Sequence, residues 1–212
     1  MKHFLITLLF FVCGSAYSCQ GLLDTDVKIL NKKEYKNLCE FEDKTILVVN
    51  TASKCGFTYQ YEQLETLQRR FKENDFTVLA FPSRNFLNQE YRDEEQVEEF
   101  CKSTFDVSFP MFSIADVGNR TKNPFYKKLF EMTDDRPKWN FHKFLITKDG
   151  EIKSFSHKID PLDERIVGAI RDSIKLITFC VTYNNIARHM MCKNTVVYNA
   201  GDKIEFRFNF FR

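Results

Sequence analysis

The sequence predicts an α/β fold, a central mixed β-sheet flanked by helices, on three observations. Ile46–Val49 and Phe76–Phe81 are unbroken apolar runs of strand length, the pattern of strands covered on both faces. Between them lies a stretch with apolar residues at helical spacing, so strand, helix and strand follow in the order of a right-handed parallel crossover. Further on, Asp149-Gly150 marks a two-residue turn between strands at 141–147 and 151–155, an antiparallel addition to the sheet.

The chain opens on a segment of another kind. Lys2 and His3 precede an apolar run, Phe4–Val12, that is too short to span a bilayer. Ala16 and Ser18 put small residues at the two positions a signal peptidase reads. Residues 1–18 are therefore expected to be a signal peptide, which places the protein outside the cytoplasm, secreted or periplasmic, with no stable membrane span. Cleavage after Ser18 would leave Cys19 at the N-terminus, and a lipid anchor there is the lesser alternative because Tyr17 fits a lipobox poorly.

Asp26–Phe41 is mixed and polar, a short strand or turn entering the domain. Thr45–Asn50 is the first central strand. Tyr59–Lys72 follows as a helix with Leu64, Leu67 and Phe71 on its apolar face, closed by Glu73-Asn74-Asp75. Phe76–Phe81 is the second central strand. Pro82 stops it, and Ser83–Tyr91 forms a loop at its C-terminal end, where open α/β sheets gather their sites. Asp93 caps the next helix, with Val97, Phe100, Cys101 and Thr104 on the inner face. Phe109–Phe112 carries a proline and reads as an edge or bend. Asn119-Arg120-Thr121 is a glycosylation acceptor pattern, meaningful in a eukaryotic host. Pro124 opens a helix with Phe125, Leu129 and Met132 in register. After the hairpin, Pro161 starts a last helix to Lys175 that buries Leu162, Ile166, Ile170 and Ile174. This order is that of a thioredoxin-like fold, expected over residues 19–176. Residues 177–212 form a C-terminal extension, either an added hairpin around the alternating Lys203–Phe208 or sequence never selected to fold.

Composition narrows the function. With 31 Lys and Arg against 29 Asp and Glu, interspersed, nothing points to a nucleic-acid partner. The seven cysteines are scattered, with no CxxC pair and no zinc spacing, so no metal site is expected. A domain of this length builds its own core, which favours redox-active or merely buried thiols over a disulfide framework. Cys55 is the thiol best placed for chemistry. It stands where the first central strand hands over to a helix, flanked by Lys54 and Gly56 as supporting residues. N–H groups at a helix start and an adjacent cation both favour the thiolate, the form that attacks peroxides and disulfides. A buried, inert thiol is the alternative for any single cysteine.

Three blocks of residues carry a resemblance. NTASKCGFT at 50–58, FPSRNFLNQEY at 81–91 and KWNFHKFLITKDG at 138–150 resemble the motifs of the glutathione peroxidase family, in its cysteine-containing, short-loop type. FCKSTFDVSFPMF at 100–112 is a fourth, weaker match, and the likeness runs from about Leu22 to Lys175. The resemblance implies a peroxidatic Cys55 in a tetrad with Trp139, Asn140 and, in place of the family's Gln, Asn85, which keeps the carboxamide but reaches one methylene less. Gln89 falls on the family's second, non-tetrad Gln. Ser83 replaces a common Cys, and Leu87 and Tyr91 replace the usual Gly and Pro, which alters what the loop backbone can adopt. Cys101 falls on the resolving position of the thioredoxin-dependent members. The family uses no cofactor: a thioredoxin-like protein or glutathione is the reducing co-substrate, and hydrogen peroxide and organic or lipid hydroperoxides are the substrates. The short loop at Thr133–Lys138 resembles that of monomeric members. Alternatives are a redox relay or sensor using the same thiol, and a non-catalytic binding protein on the same fold.

Overall fold

The computed structural model describes Cys19, residues 21–174 and two short strands, Val197–Asn199 and Ile204–Phe206. The expected signal segment 1–18, and the extension apart from those two strands, lie outside the described residues. The domain begins with a small hairpin, β1 (Asp26–Lys28) against β2 (Tyr35–Asn37), followed by a 3-10 turn at Leu38–Phe41.

The central sheet is built from β3 (Thr45–Thr51), β4 (Phe76–Pro82), β5 (Lys143–Ile146) and β6 (Ile152–Phe155), in the order β4-β3-β5-β6. β3 and β4 are parallel, Val48 opposite Leu79, while β5 runs antiparallel to β3 and β6 antiparallel to β5. Both parallel strands are buried along their whole length, which is why their centres are runs of apolar residues rather than an alternation. Alternation sorts their side chains into two cores. Leu47, Val49, Val78 and Ala80 face a cluster closed by α1 (Gln60–Phe71), α2 (Glu94–Phe105) and α4 (Glu164–Ile174). Ile46, Val48, Leu79 and Phe81 face a second cluster closed by α3 (Pro124–Thr133) and the N-terminal hairpin. Truncating Leu47, Ile46 or Leu79 to Ala costs about 2–5 kcal/mol. The Pro110–Phe112 segment lies along the edge of β4, with Ala80 N donating to Pro110 O and Phe112 N to Ala80 O. This is the thioredoxin-like arrangement that the element order predicts. β7 (Val197–Asn199) and β8 (Ile204–Phe206) pair antiparallel.

Several expectations are corrected. α4 starts at Glu164 rather than Pro161, because Asp163 accepts from Arg165 N and caps it, leaving Leu162 before the helix and exposed. Thr104 and Met132 are exposed; α2 buries Val97 and Cys101, and α3 buries Tyr126 and Phe130 beside Phe125 and Leu129. The β5–β6 connection has three residues between Thr147 and Glu151, with Gly150 at φ +84°, the left-handed position such a loop needs. Cys39 is not a free thiol: it forms a disulfide with Cys19, Cα atoms 5.8 Å apart, tying the start of the domain to the 3-10 turn.

Candidate active site

Cys55 follows β3 in a turn, and its residue is 9 % exposed. α1 begins at Gln60, one residue after the expected Tyr59 and five after the cysteine, so Cys55 stands in the turn before the helix rather than in its first turn. The turn supplies its own contacts. Phe57 N–H points at Cys55 Sγ, 3.5 Å away, and Cys55 N–H donates to Thr58 Oγ1 at 3.0 Å. The Thr58 hydroxyl reaches the carbonyls of both Ala52 and Cys55, donating its one proton to either, and so pins both ends of the turn. Lys54 is exposed, and its ammonium sits 3.8 Å from the centre of the Tyr91 ring, a cation–π contact that fixes the side chain on the neighbouring loop. Gly56 is exposed, and a Cβ there would meet nothing within 4 Å, so space does not demand glycine.

A closed ring of hydrogen bonds joins this turn to two other segments. Lys54 N–H donates to Gln89 O at 2.8 Å. Asn140 Nδ2 donates to Gln89 Oε1 at 3.0 Å. Asn50, at the end of β3, donates through Nδ2 to Trp139 O at 3.0 Å, and its own carbonyl accepts from Phe141 N at 2.6 Å. Phe141 holds a left-handed φ of +66°, rare for a bulky side chain, and so the backbone that presents Trp139 and Asn140 is strained. Its ring packs edge-on against Tyr61, and the Lys143 ammonium donates to Phe141 O and Ile159 O, both at 2.7 Å. Asn140 is fully buried with Oδ1 unpartnered. Among the described residues, nothing accepts from Gln89 Nε2 or from the Trp139 indole N–H, so two donors stay free beside the ring.

Asn85 does not join it. Its residue is exposed, and its carboxamide is committed elsewhere: Oδ1 accepts from Ser83 Oγ and Val117 N, each at 2.8 Å, and Nδ2 donates to Asp116 Oδ1 at 2.8 Å. The carboxamide that meets Asn140 belongs to Gln89. The reason is the turn Phe86–Gln89, whose central residues Leu87 and Asn88 have φ of +53° and +52°, the pattern of a type I′ turn that swings Gln89 back to the cysteine. Sequence reasoning missed Asn50, and it named Gln89 but set it outside the tetrad in favour of Asn85. For Asn50 the available signal was a polar residue closing an apolar strand.

Cys101 is placed by α2 in the same apolar cluster as Cys55, on a different element, and both thiols are free. It is 1 % exposed, and burial pushes the thiol up to about 12, partly opposed by Tyr61. Among the described residues no group of three His, Cys, Asp or Glu side chains is arranged to hold a metal ion.

A free thiol at the C-terminal end of a central strand, on a thioredoxin-like sheet and with the Phe57 N–H pointing at its sulfur, defines a thiol-based oxidoreductase. The sequence model of the glutathione peroxidase family matches residues 22–130. A glutathione peroxidase homologue, BsaA, of Halalkalibacterium halodurans is 39 % identical over 140 residues, 64 % of this chain and 88 % of its own. The thioredoxin/glutathione peroxidase BtuE of Escherichia coli is 35 % identical over 176 residues, 71 % of this chain and 96 % of its own. The crystal structure of Trgpx in its apo form superposes with a TM-score of 0.59 at 34 % identity, covering 74 % of this chain and 97 % of that one. The chain belongs to the glutathione peroxidase family and is a peroxidase.

Proposed function

We propose that the protein reduces hydrogen peroxide and organic hydroperoxides through Cys55, that Cys101 resolves the oxidised cysteine, and that a thioredoxin-like protein is the reductant. The hydrogen-bonded ring that ties the Cys55 turn to Gln89, Asn140 and Asn50 supports this reading, because Gln89 and Trp139, which belong to the segments bonded to the turn of a free thiol, carry side-chain N–H donors that no protein group uses. The Cys55 thiolate attacks one peroxide oxygen, the O–O bond breaks, and sulfenic acid and an alkoxide or hydroxide result. Trp139 Nε1 and Gln89 Nε2 are the groups to stabilise the departing oxyanion. Cys101 then displaces the sulfenic hydroxyl as water and forms a disulfide. The two Cα atoms must come within about 7 Å for that, and Cys101 starts from the buried face of α2. The name of the Escherichia coli relative joins thioredoxin and glutathione, and supports both as candidate reductants.

Export from the cytoplasm is part of the proposal. The Cys19–Cys39 disulfide fits an oxidising compartment, and a sulfur joined to Cys39 cannot also carry a thioether lipid, which favours a soluble exported form over an anchored one. The deciding experiment compares steady-state peroxide reduction driven by thioredoxin and by glutathione, in the unmodified protein and in Cys101→Ser. Thioredoxin should drive faster turnover, and Cys101→Ser should abolish it while leaving a single burst of peroxide consumption. Normal thioredoxin-driven turnover of Cys101→Ser would remove Cys101 from the cycle, and faster turnover with glutathione would make that thiol the reductant.

A further inference from the structure

One side chain in the Cys55 turn is bonded to the cysteine itself and has no part in the cycle above. Thr58 closes the turn through its backbone, donating its N–H to Cys55 O at 3.1 Å. Its hydroxyl adds more. Thr58 Oγ1 accepts from Cys55 N–H at 3.0 Å and stands 2.7 Å from Cys55 O and 2.9 Å from Ala52 O, with one proton to give to either carbonyl. Both polar groups of the Cys55 main chain are therefore taken by a single residue. Ala52 is the first residue past β3 and is fully buried, so the hydroxyl also joins the lead-in of α1 to the end of the strand. The other bonds of that lead-in are local: Gln60 N–H donates to Phe57 O and Tyr61 N–H to Thr58 O. Two things follow for the sulfur. Phe57 N–H points at Cys55 Sγ from inside the turn, 3.5 Å away, while its ring packs edge-on against His157, centroids 5.0 Å apart. The aim of that N–H depends on the turn that Thr58 closes. And because Cys55 N–H is spent on Thr58, a peroxide must use other donors, those of Trp139 and of Gln89, whose carbonyl accepts from Lys54 N–H at 2.8 Å.

We propose that Thr58 is a positioning residue for peroxide reduction: its hydroxyl fixes the Cys55 main chain so that the sulfur lines up with the O–O bond of a peroxide held by the Trp139 and Gln89 donors. The assignment rests on the reading of Cys55 as the peroxidatic thiol. Attack on a peroxide is in-line. The S–O bond forms along the axis of the O–O bond that breaks, and the departing oxygen must meet a donor at the far end. Sulfur, both oxygens and donor are thus held to one line, and an error of about 1 Å at the sulfur costs about a hundredfold. Alkylation by iodoacetamide makes no such demand. The thiolate displaces iodide, which leaves without a proton, and the reagent approaches from whichever side is open. A change in the amount of thiolate moves both reactions, whereas a change in its aim moves the first. Without the hydroxyl, Cys55 N–H and Ala52 O lose their partner while Cys55 O keeps Thr58 N–H. The turn then stays closed but pivots about its link to β3.

The test uses the full chain and reads two rates at Cys55. One is sulfenic acid formation with one equivalent of hydrogen peroxide, followed by dimedone trapping. The other is alkylation by iodoacetamide, and peptide mass spectrometry locates both products. Thr58→Val keeps the shape and removes the hydroxyl, and Thr58→Ser keeps the hydroxyl. In Thr58→Val the peroxide rate should fall by about a hundredfold and the alkylation rate by less than about threefold. Thr58→Ser should bring the peroxide rate back to within about threefold of the unmodified protein. An unaltered peroxide rate in Thr58→Val overturns the proposal. An equal loss in both reactions also overturns it, because that is what general loosening of the turn gives. So does a Thr58→Ser variant as slow as Thr58→Val, which would assign the loss to packing of the methyl group. Should Thr58→Val fail to fold, Thr58→Ala, which leaves room for a water, takes its place under the same criteria. Absence of a dimedone adduct at Cys55 in the unmodified protein removes the underlying reading, and is distinguishable because it is seen before any variant is made.

Discussion

At the scale of single residues, the two carboxamides of the 81–91 loop separate cleanly. The Gln89 side chain donates nothing to the protein and accepts from Asn140, whereas the Asn85 side chain ties Ser83 to Asp116 and Val117. Gln89→Ala should therefore lower the rate of peroxide consumption by about a hundredfold, the usual loss when one oxyanion donor is removed. Asn85→Ala should leave that rate close to normal and cost about 1 kcal/mol of stability, a fall in Tm of a few degrees. Stopped-flow peroxide kinetics and thermal melts on the two variants check this, and the reverse pattern would return Asn85 to the site. The same junction explains Gly118: a Cβ there would stand 2.9 Å from Asn85 Nδ2, so a larger residue displaces the carboxamide.

At the scale of elements, the sequence reads best where burial leaves no choice. β3 and β4 are buried at every position and carry apolar runs at Ile46–Val49 and Val78–Phe81, so their place follows from pattern. Helix ends read less well. A proline at 161 looks like a first helical residue, but the Asp163 side chain caps more strongly than the proline ring directs. The positions of Cys55, Trp139 and Asn140 were legible from motif. Which carboxamide joins them was not, because that depends on two consecutive left-handed residues, one of them a leucine that gives no sign of it. Leu87 is 74 % exposed and gains nothing from burial in that conformation. Leu87→Gly should accordingly stabilise the fold by about 1 kcal/mol, read as a higher urea midpoint at unchanged m-value. The strained turn at Phe141 is the counterpart just before β5. Lys143→Met would leave the Phe141 and Ile159 carbonyls without a donor, at a cost of about 1–3 kcal/mol, and should slow peroxide consumption as the Trp139-Asn140 backbone loosens.

For the whole molecule, the disulfide and the buried bases set how stability responds to conditions. Cys19 and Cys39 are 20 residues apart, and closing such a loop removes unfolded-state freedom worth about 3 kcal/mol. Reduction or Cys39→Ser should therefore lower the urea midpoint while peroxide reduction continues, because the bridge lies in the N-terminal hairpin layer, outside the hydrogen-bonded ring. The response to pH has one sign over two windows. Burial holds Lys143 down to about 7, so from there to its ordinary 10.5 the unfolded chain carries the extra proton and stability rises with pH. His142 is 4 % exposed, with Nε2 2.8 Å from Ser154 Oγ, which in turn bonds Asp135. Burial lowers it to about 4, against the pull of Asp135. Between pH 6.5 and about 4 the unfolded histidine is protonated and the folded one is not, so the stability present above 6.5 is lost as pH falls through that window, by at most about 3 kcal/mol. Urea midpoints taken in steps from neutral to about pH 4 should drop in the native protein. They should drop less in His142→Gln, which cannot take up the proton. Parallel curves for the two proteins would show that other groups govern acid unfolding.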